Sequence, residues 1–170
     1  FNFLLQVASQ AGQAGRLEEA LMAYNAAWTL DSESGTLPLA NFLLGYRQDY
    51  STAENVLRQS LAALPNSSYW PVWSNRLGDA LRGQKRWDEA AVAYENVIVQ
   101  TPHDWAAYIG LGWARYERGD GLQAAMSEFQ EAINAPESHG NGQLATAQAL
   151  TREKRFEEAA AWFVQASALN

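Results

Sequence analysis

The sequence predicts an all-α protein, an α-solenoid wound as a right-handed superhelix of antiparallel helix pairs. A marker alanine recurs at Ala20, Ala53, Ala90, Ala125 and Ala159, at intervals of 33, 37, 35 and 34 residues, which is the period of a helix-turn-helix unit. Around each marker the apolar residues stand three and four apart, as in Trp87, Ala90, Tyr94, Val97 and Ile98, so they share one helical face. The chain of 170 residues is 48% apolar, which is enough to bury a substantial core and excludes global disorder.

The periodicity places helices at 2–13, 17–30, 38–47, 51–63, 70–83, 87–100, 105–118, 121–134, 141–153 and 156–168. Leu17-Glu18-Glu19-Ala20 with Tyr24 and Ala27 marks the second helix of the first unit. Pro38 is expected in the first turn of the next helix, where its missing N–H is not needed. Tyr50-Ser51-Thr52-Ala53 with Leu57 and Ser60 marks the second unit. Trp70 and Trp73 are expected to pack where the second and third units join, because an exposed tryptophan pair is costly.

Trp87-Asp88-Glu89-Ala90 with Tyr94 and Val97 marks the third unit, and Asp104 is placed to cap the helix that opens at Trp105. Ala125, Phe129 and Ala132 follow, with Gly119-Asp120-Gly121 absorbing the spare residue of the 35-residue step. Phe156-Glu157-Glu158-Ala159 with Phe163 and Ala166 forms the fifth unit. Pro65, Pro102 and Pro136 end the second helices of units two to four. A methyl group at each marker lets two helices cross closely where a larger side chain would wedge them apart.

These residues resemble the tetratricopeptide repeat family, whose signature is a Trp, a Leu-Gly pair and an aromatic on the first helix, then Ala, Phe, Ala and Pro on the second. Leu77-Gly78 with Leu81, Ala90, Tyr94 and Pro102 follows that signature. Leu111-Gly112 with Tyr116, Ala125, Phe129, Ala132 and Pro136 follows it with one inserted residue. The second and fifth units read Ala40-Asn41 and Thr146-Ala147 where the Leu-Gly pair belongs. The resemblance implies one array over 1–170, in repeats of about 1–33, 34–67, 68–103, 104–138 and 139–170, and a protein-binding role.

Composition and motifs exclude much else. Nineteen acidic against twelve basic residues give a charge of -7, which disfavours nucleic acid as a partner and, with only Lys85 and Lys154 as lysines, argues against an RNA-binding pentatricopeptide array. The absence of cysteine removes disulfides, thiolate metal sites and thiol nucleophiles. His103 and His139 read as exposed turn residues with no further ligands at metal spacing. Glu18-Glu19, Asp88-Glu89 and Glu157-Glu158 recur at helix starts, as charges favourable to the helix dipole and not as an acid/base pair.

No phosphate loop, nucleophile elbow or zinc-binding helix occurs, so no enzyme activity, cofactor or metal is expected. Asn66-Ser67-Ser68 fits the glycosylation acceptor pattern. No run is long enough for a membrane span. The segment is expected to be soluble, with cytoplasm and periplasm both compatible. Opening on Phe1, it is expected to be a piece of a longer protein.

A ligand is expected on the first helices of the units, which line the concave face of a solenoid. By register these present Phe42 and Tyr46, then Asn75, Asp79 and Arg82, then Ile109, Trp113 and Tyr116 or Glu117, then Gln148 and Arg152. The set suits an extended peptide or amphipathic helix with apolar anchors, whose acidic groups meet Arg82 and Arg152. Trp113 and Tyr116 fit groove and core equally, and Phe42 and Tyr46 fit core better. The lysine–asparagine clamp of chaperone-binding relatives is missing, since Lys85 and Lys154 fall in turns. The expected function is a non-catalytic protein–protein interaction scaffold. The alternative is self-assembly through the solenoid ends, or a carbohydrate-associated module of a larger protein such as one of polysaccharide export.

Overall fold

A computed structural model describes residues 1–169; Asn170, the last residue of the fifth expected repeat, lies outside them. The described residues form α1 (Asn2–Gln13), α2 (Leu17–Leu30), α3 (Ser32–Phe42), a π-helical turn (Leu43–Arg47), α4 (Tyr50–Ala63), α5 (Trp70–Gly83), α6 (Trp87–Gln100), α7 (Trp105–Arg118), α8 (Leu122–Asn134), α9 (Asn141–Arg152) and α10 (Phe156–Ser167). They resolve into two compact units, Phe1–Lys85 and Arg86–Asn170. Within each unit consecutive helices pack on one another: α1 to α5 in the first, α6 to α10 in the second. The marker alanines Ala20, Ala53, Ala90, Ala125 and Ala159 are all buried, as their role in close crossings requires.

Nine of the ten helices match the sequence reading to within a residue or so. The third does not: α3 starts at Ser32, six residues before the expected start, and Pro38 lies inside it. Asp31 caps the helix, its carboxylate accepting the Ser34 N–H at 3.1 Å. Those hydrogen bonds hold the Asp31 carboxyl below the usual carboxylate range. Ser32-Glu33-Ser34-Gly35-Thr36 looks like a loop by propensity, and packing against α2 overrides it. A Cβ on Gly35 would lie 2.6 Å from the Trp28 Cα, so only glycine allows this approach. Just beyond, the Trp28 indole N–H donates to Thr36 Oγ1 at 3.0 Å, and the Thr36 and Ser60 hydroxyls meet at 2.5 Å. Thr36 and Ser60 are buried, and this knot satisfies their polar atoms.

Helix contacts in the second unit are drier. A Cβ on Gly110 would lie 2.2 Å from the Tyr94 ring, and one on Gly112 would lie 2.5 Å from the Phe129 ring. Both rings are fully buried, so each glycine is the concave half of a knob-and-hole contact. Arg115 on α7 pairs with Glu128 on α8 and, at 3.2 Å, with Glu95 on α6, tying three helices together. Burial raises the Glu128 carboxyl pKa, and Arg115 opposes the rise.

The recurrent acidic pairs do sit in first helical turns. The structure adds a partner the sequence reading missed: an arginine at the N-cap clips the second acid, as Arg16–Glu19 at 2.8 Å, Arg86–Glu89 at 2.6 Å and Arg155–Glu158 at 2.6 Å. Gly119 caps α7 in the left-handed conformation, in the turn assigned to the spare residue.

Candidate binding surface on the first helices

In the second unit, α7 and α9 bring together Trp113, Tyr116 and Arg152. The Arg152 guanidinium carbon stands 4.4 Å above the centre of the Trp113 ring and 6.0 Å from that of Tyr116. Trp113 and Tyr116 meet edge to face at 5.8 Å, and Trp113 leans on Phe129 at 5.3 Å. Trp113 is buried, at 7% exposure. It belongs to a cluster with Ala125, Phe129, Ala145 and Ala149, against which Ile109, Tyr116 and Leu122 pack. Trp113 is thus a core residue whose outer face is covered by Arg152, and not an open groove wall.

Two carboxylates complete the arrangement. Glu117 holds one edge of Arg152 at 3.4 Å, and Glu153 accepts the Tyr116 hydroxyl at 2.6 Å. That hydrogen bond raises the Tyr116 pKa and keeps the phenol protonated. Glu153 escaped the sequence reading because it pairs with a residue 37 positions away and carries no periodic signal. Gln148 is exposed on the same helix as Arg152. A half-exposed guanidinium, planar and pinned over an indole, presents forked N–H donors to a carboxylate. Ile109 and the Tyr116 ring offer apolar contact beside it.

The first unit places its candidates differently. Phe42 is buried with Ala11 and Ala20, and Tyr46, 60% exposed, stacks on it at 5.7 Å. The π-helical turn sets the direction of Tyr46, and Arg47 at its end pairs with Glu18 at 2.5 Å. On α5, Asn75 is buried, Asp79 is half-buried and paired with Arg76 at 2.8 Å, and Arg82 is half-buried. Trp73 is fully buried and stacks with Tyr69 at 5.8 Å. His103 and His139 are exposed in turns, and no group of metal-ligating residues occurs among the described residues. No described helix is long and apolar enough to cross a membrane.

Helix hairpins of this period, with small residues at the crossings, define a helical-repeat protein. The tetratricopeptide repeat profile matches residues 43–100 and 75–139, and the chain belongs to that family. The fold of this family is that of a protein–protein interaction scaffold. Among solved structures, TTC0263, a thermophilic tetratricopeptide repeat protein of Thermus thermophilus, superposes with a TM-score of 0.80 at 16% identity, over 99% of this chain and 90% of its own. A tetratricopeptide repeat protein from Parabacteroides merdae gives 0.77 at 20% identity, over 98% of this chain and 64% of its own. MamA of Desulfovibrio magneticus, from residue 41 to its end, gives 0.67 at 21% identity, over 99% and 93%. No curated protein matches the sequence.

Proposed function

We propose that the chain is a non-catalytic scaffold that holds a peptide or helical segment of a partner protein in the groove between α7 and α9. The observation that carries this reading is Arg152 fixed on the Trp113 ring and paired with Glu117, beside a Tyr116 whose hydroxyl is held by Glu153. Fixing a long side chain before binding lowers the entropy lost on association. The partner supplies an apolar side chain beside Ile109 and Tyr116, and a carboxylate for the free edge of Arg152.

A panel of peptides with and without acidic residues, titrated calorimetrically, tests this. Acidic peptides should bind, Arg152→Ala should weaken them by about tenfold or more, and added salt should weaken them further. A specific peptide that binds Arg152→Ala and Tyr116→Ala as tightly as the parent chain would exclude this surface.

A further inference from the structure

The charges of the α7–α9 surface are not evenly matched. Arg152 already has a carboxylate of its own, since Glu117 pairs with it at 3.4 Å. Glu153 has no cation in the same sense. One of its oxygens accepts the neutral Tyr116 hydroxyl at 2.6 Å, and it forms no ion pair among the described residues. The bases next in the chain do not supply one. Lys154 is exposed in the turn after α9, in the left-handed conformation at φ 62, and Arg155, whose charge acts on Glu153, is clipped to Glu158 at 2.6 Å.

The mismatch matters once a ligand covers the site. An apolar side chain seated beside Ile109 and the Tyr116 ring strips water from the phenol and from the carboxylate bonded to it. A carboxylate that loses water with only a neutral donor beside it is costly, and a cation in contact offsets that cost. A ligand with acidic groups alone would supply Arg152 a second time and set like charge against Glu117 and Glu153, which selects against it. The spacing of the two charges is also defined. Arg152 lies over Trp113 and Glu153 reaches Tyr116, and these two rings stand three residues apart on α7. At about 1.5 Å per residue that is about 4.5 Å along the groove, close to the roughly 5–6 Å between side chains one turn apart on a helix.

We propose that the α7–α9 groove selects a helical segment of a partner protein that presents an acidic and a basic residue one turn apart, the acid to Arg152 and the base to Glu153. This rests on the reading of the groove given above, and it adds Glu153 as the residue that sets specificity. Arg152 admits one carboxylate, while Glu153 turns away a second and takes a cation in its place. Runs of consecutive acidic residues are therefore poor ligands, although single acids bind.

The probe is a display library of alanine-based helical peptides with one leucine, whose other positions vary among Glu, Lys, Gln and Ala. Selection on the parent chain should enrich peptides with Glu and Lys three or four apart over those with Glu alone. In an enriched peptide made synthetically, Lys→Ala should weaken calorimetric binding by about threefold at low salt. Glu153→Gln keeps an acceptor for the Tyr116 hydroxyl and removes only the charge. It should weaken the Glu–Lys peptide by about threefold and tighten the Glu-only peptide, opposite signs that a loss of packing does not produce. Enrichment of acid without base, or a Glu–Lys preference that survives Glu153→Gln, overturns the proposal and leaves the groove reading standing. No enrichment, or enrichment indifferent to Arg152→Ala, defeats the groove reading itself and this proposal with it.

Discussion

Where α2, α3 and α4 meet in the first unit the contact is polar at its centre, with Trp28, Thr36 and Ser60 sharing hydrogen bonds. In the second unit the equivalent contacts set aromatic rings against glycine and alanine, as Tyr94 against Gly110 and Phe129 beside Ala145 and Ala149. The polar contact coexists with an irregular helix, one that holds Pro38 and runs into a π-helical turn. The dry contacts involve unbroken α-helices, because a ring seated on a glycine leaves no slack for a change of helical phase. Charge follows the same division. The first unit carries seven acidic and six basic residues, the second twelve and six. The negative charge of the chain is therefore concentrated in the second unit.

Breaking the dry contact should cost most. Phe129→Ala empties a fully buried ring site and should destabilise by about 3–5 kcal/mol. Urea denaturation measures it, and hydrogen exchange should show α8 and α9 losing protection before α2 and α3. Next comes the polar knot: Thr36→Val should cost about 1–3 kcal/mol by leaving a buried partner short of a hydrogen bond. In a double-mutant cycle with Ser60→Ala the two costs should depart from additivity by at least about 0.5 kcal/mol, whereas Thr36→Val paired with Phe129→Ala should add.

Arg152→Ala uncovers one face of Trp113. It should cost about 0.5–1 kcal/mol and shift tryptophan emission to the red, as water reaches the ring. The smallest effect lies at the start of α3. The lowered pKa of Asp31 means that its contribution to stability is present above its unfolded pKa and is lost as the pH falls through the folded value. Asparagine caps as well but does not titrate. Asp31→Asn should therefore match the parent chain near neutral pH and lose less stability on acidification, as urea midpoints at both pH values would show. A parallel decline would remove Asp31 from the acid response.

Nearly every helix was legible because its apolar spacing comes from local sequence. The start of α3 was not, since its early residues have loop propensities and become helical only through the Asp31 cap and the fit of Gly35 on α2. At the candidate surface the register alone placed Trp113, Tyr116 and Arg152 on neighbouring first helices. It could not decide that Trp113 is buried, because that depends on Ala145, Ala149 and the fold of Arg152 over the ring. The Arg47–Glu18 and Arg118–Asp88 pairs join residues about thirty positions apart, and single-helix patterns do not reveal them.

The π-helical turn has a consequence at the level of a single codon. Its hydrogen bonds skip one residue more than those of an α-helix, so it holds one surplus amino acid, and Gly45 within it has open space around the position of a Cβ. Deleting Gly45 would restore ordinary helical winding at the end of α3 and turn Tyr46 and Arg47 back by about 100°. Tyr46 would leave its stack on Phe42, and Arg47 would be carried away from Glu18. The aim of an exposed aromatic on the first unit is thus held by a single residue that has no side chain, so a one-codon deletion can redirect that surface.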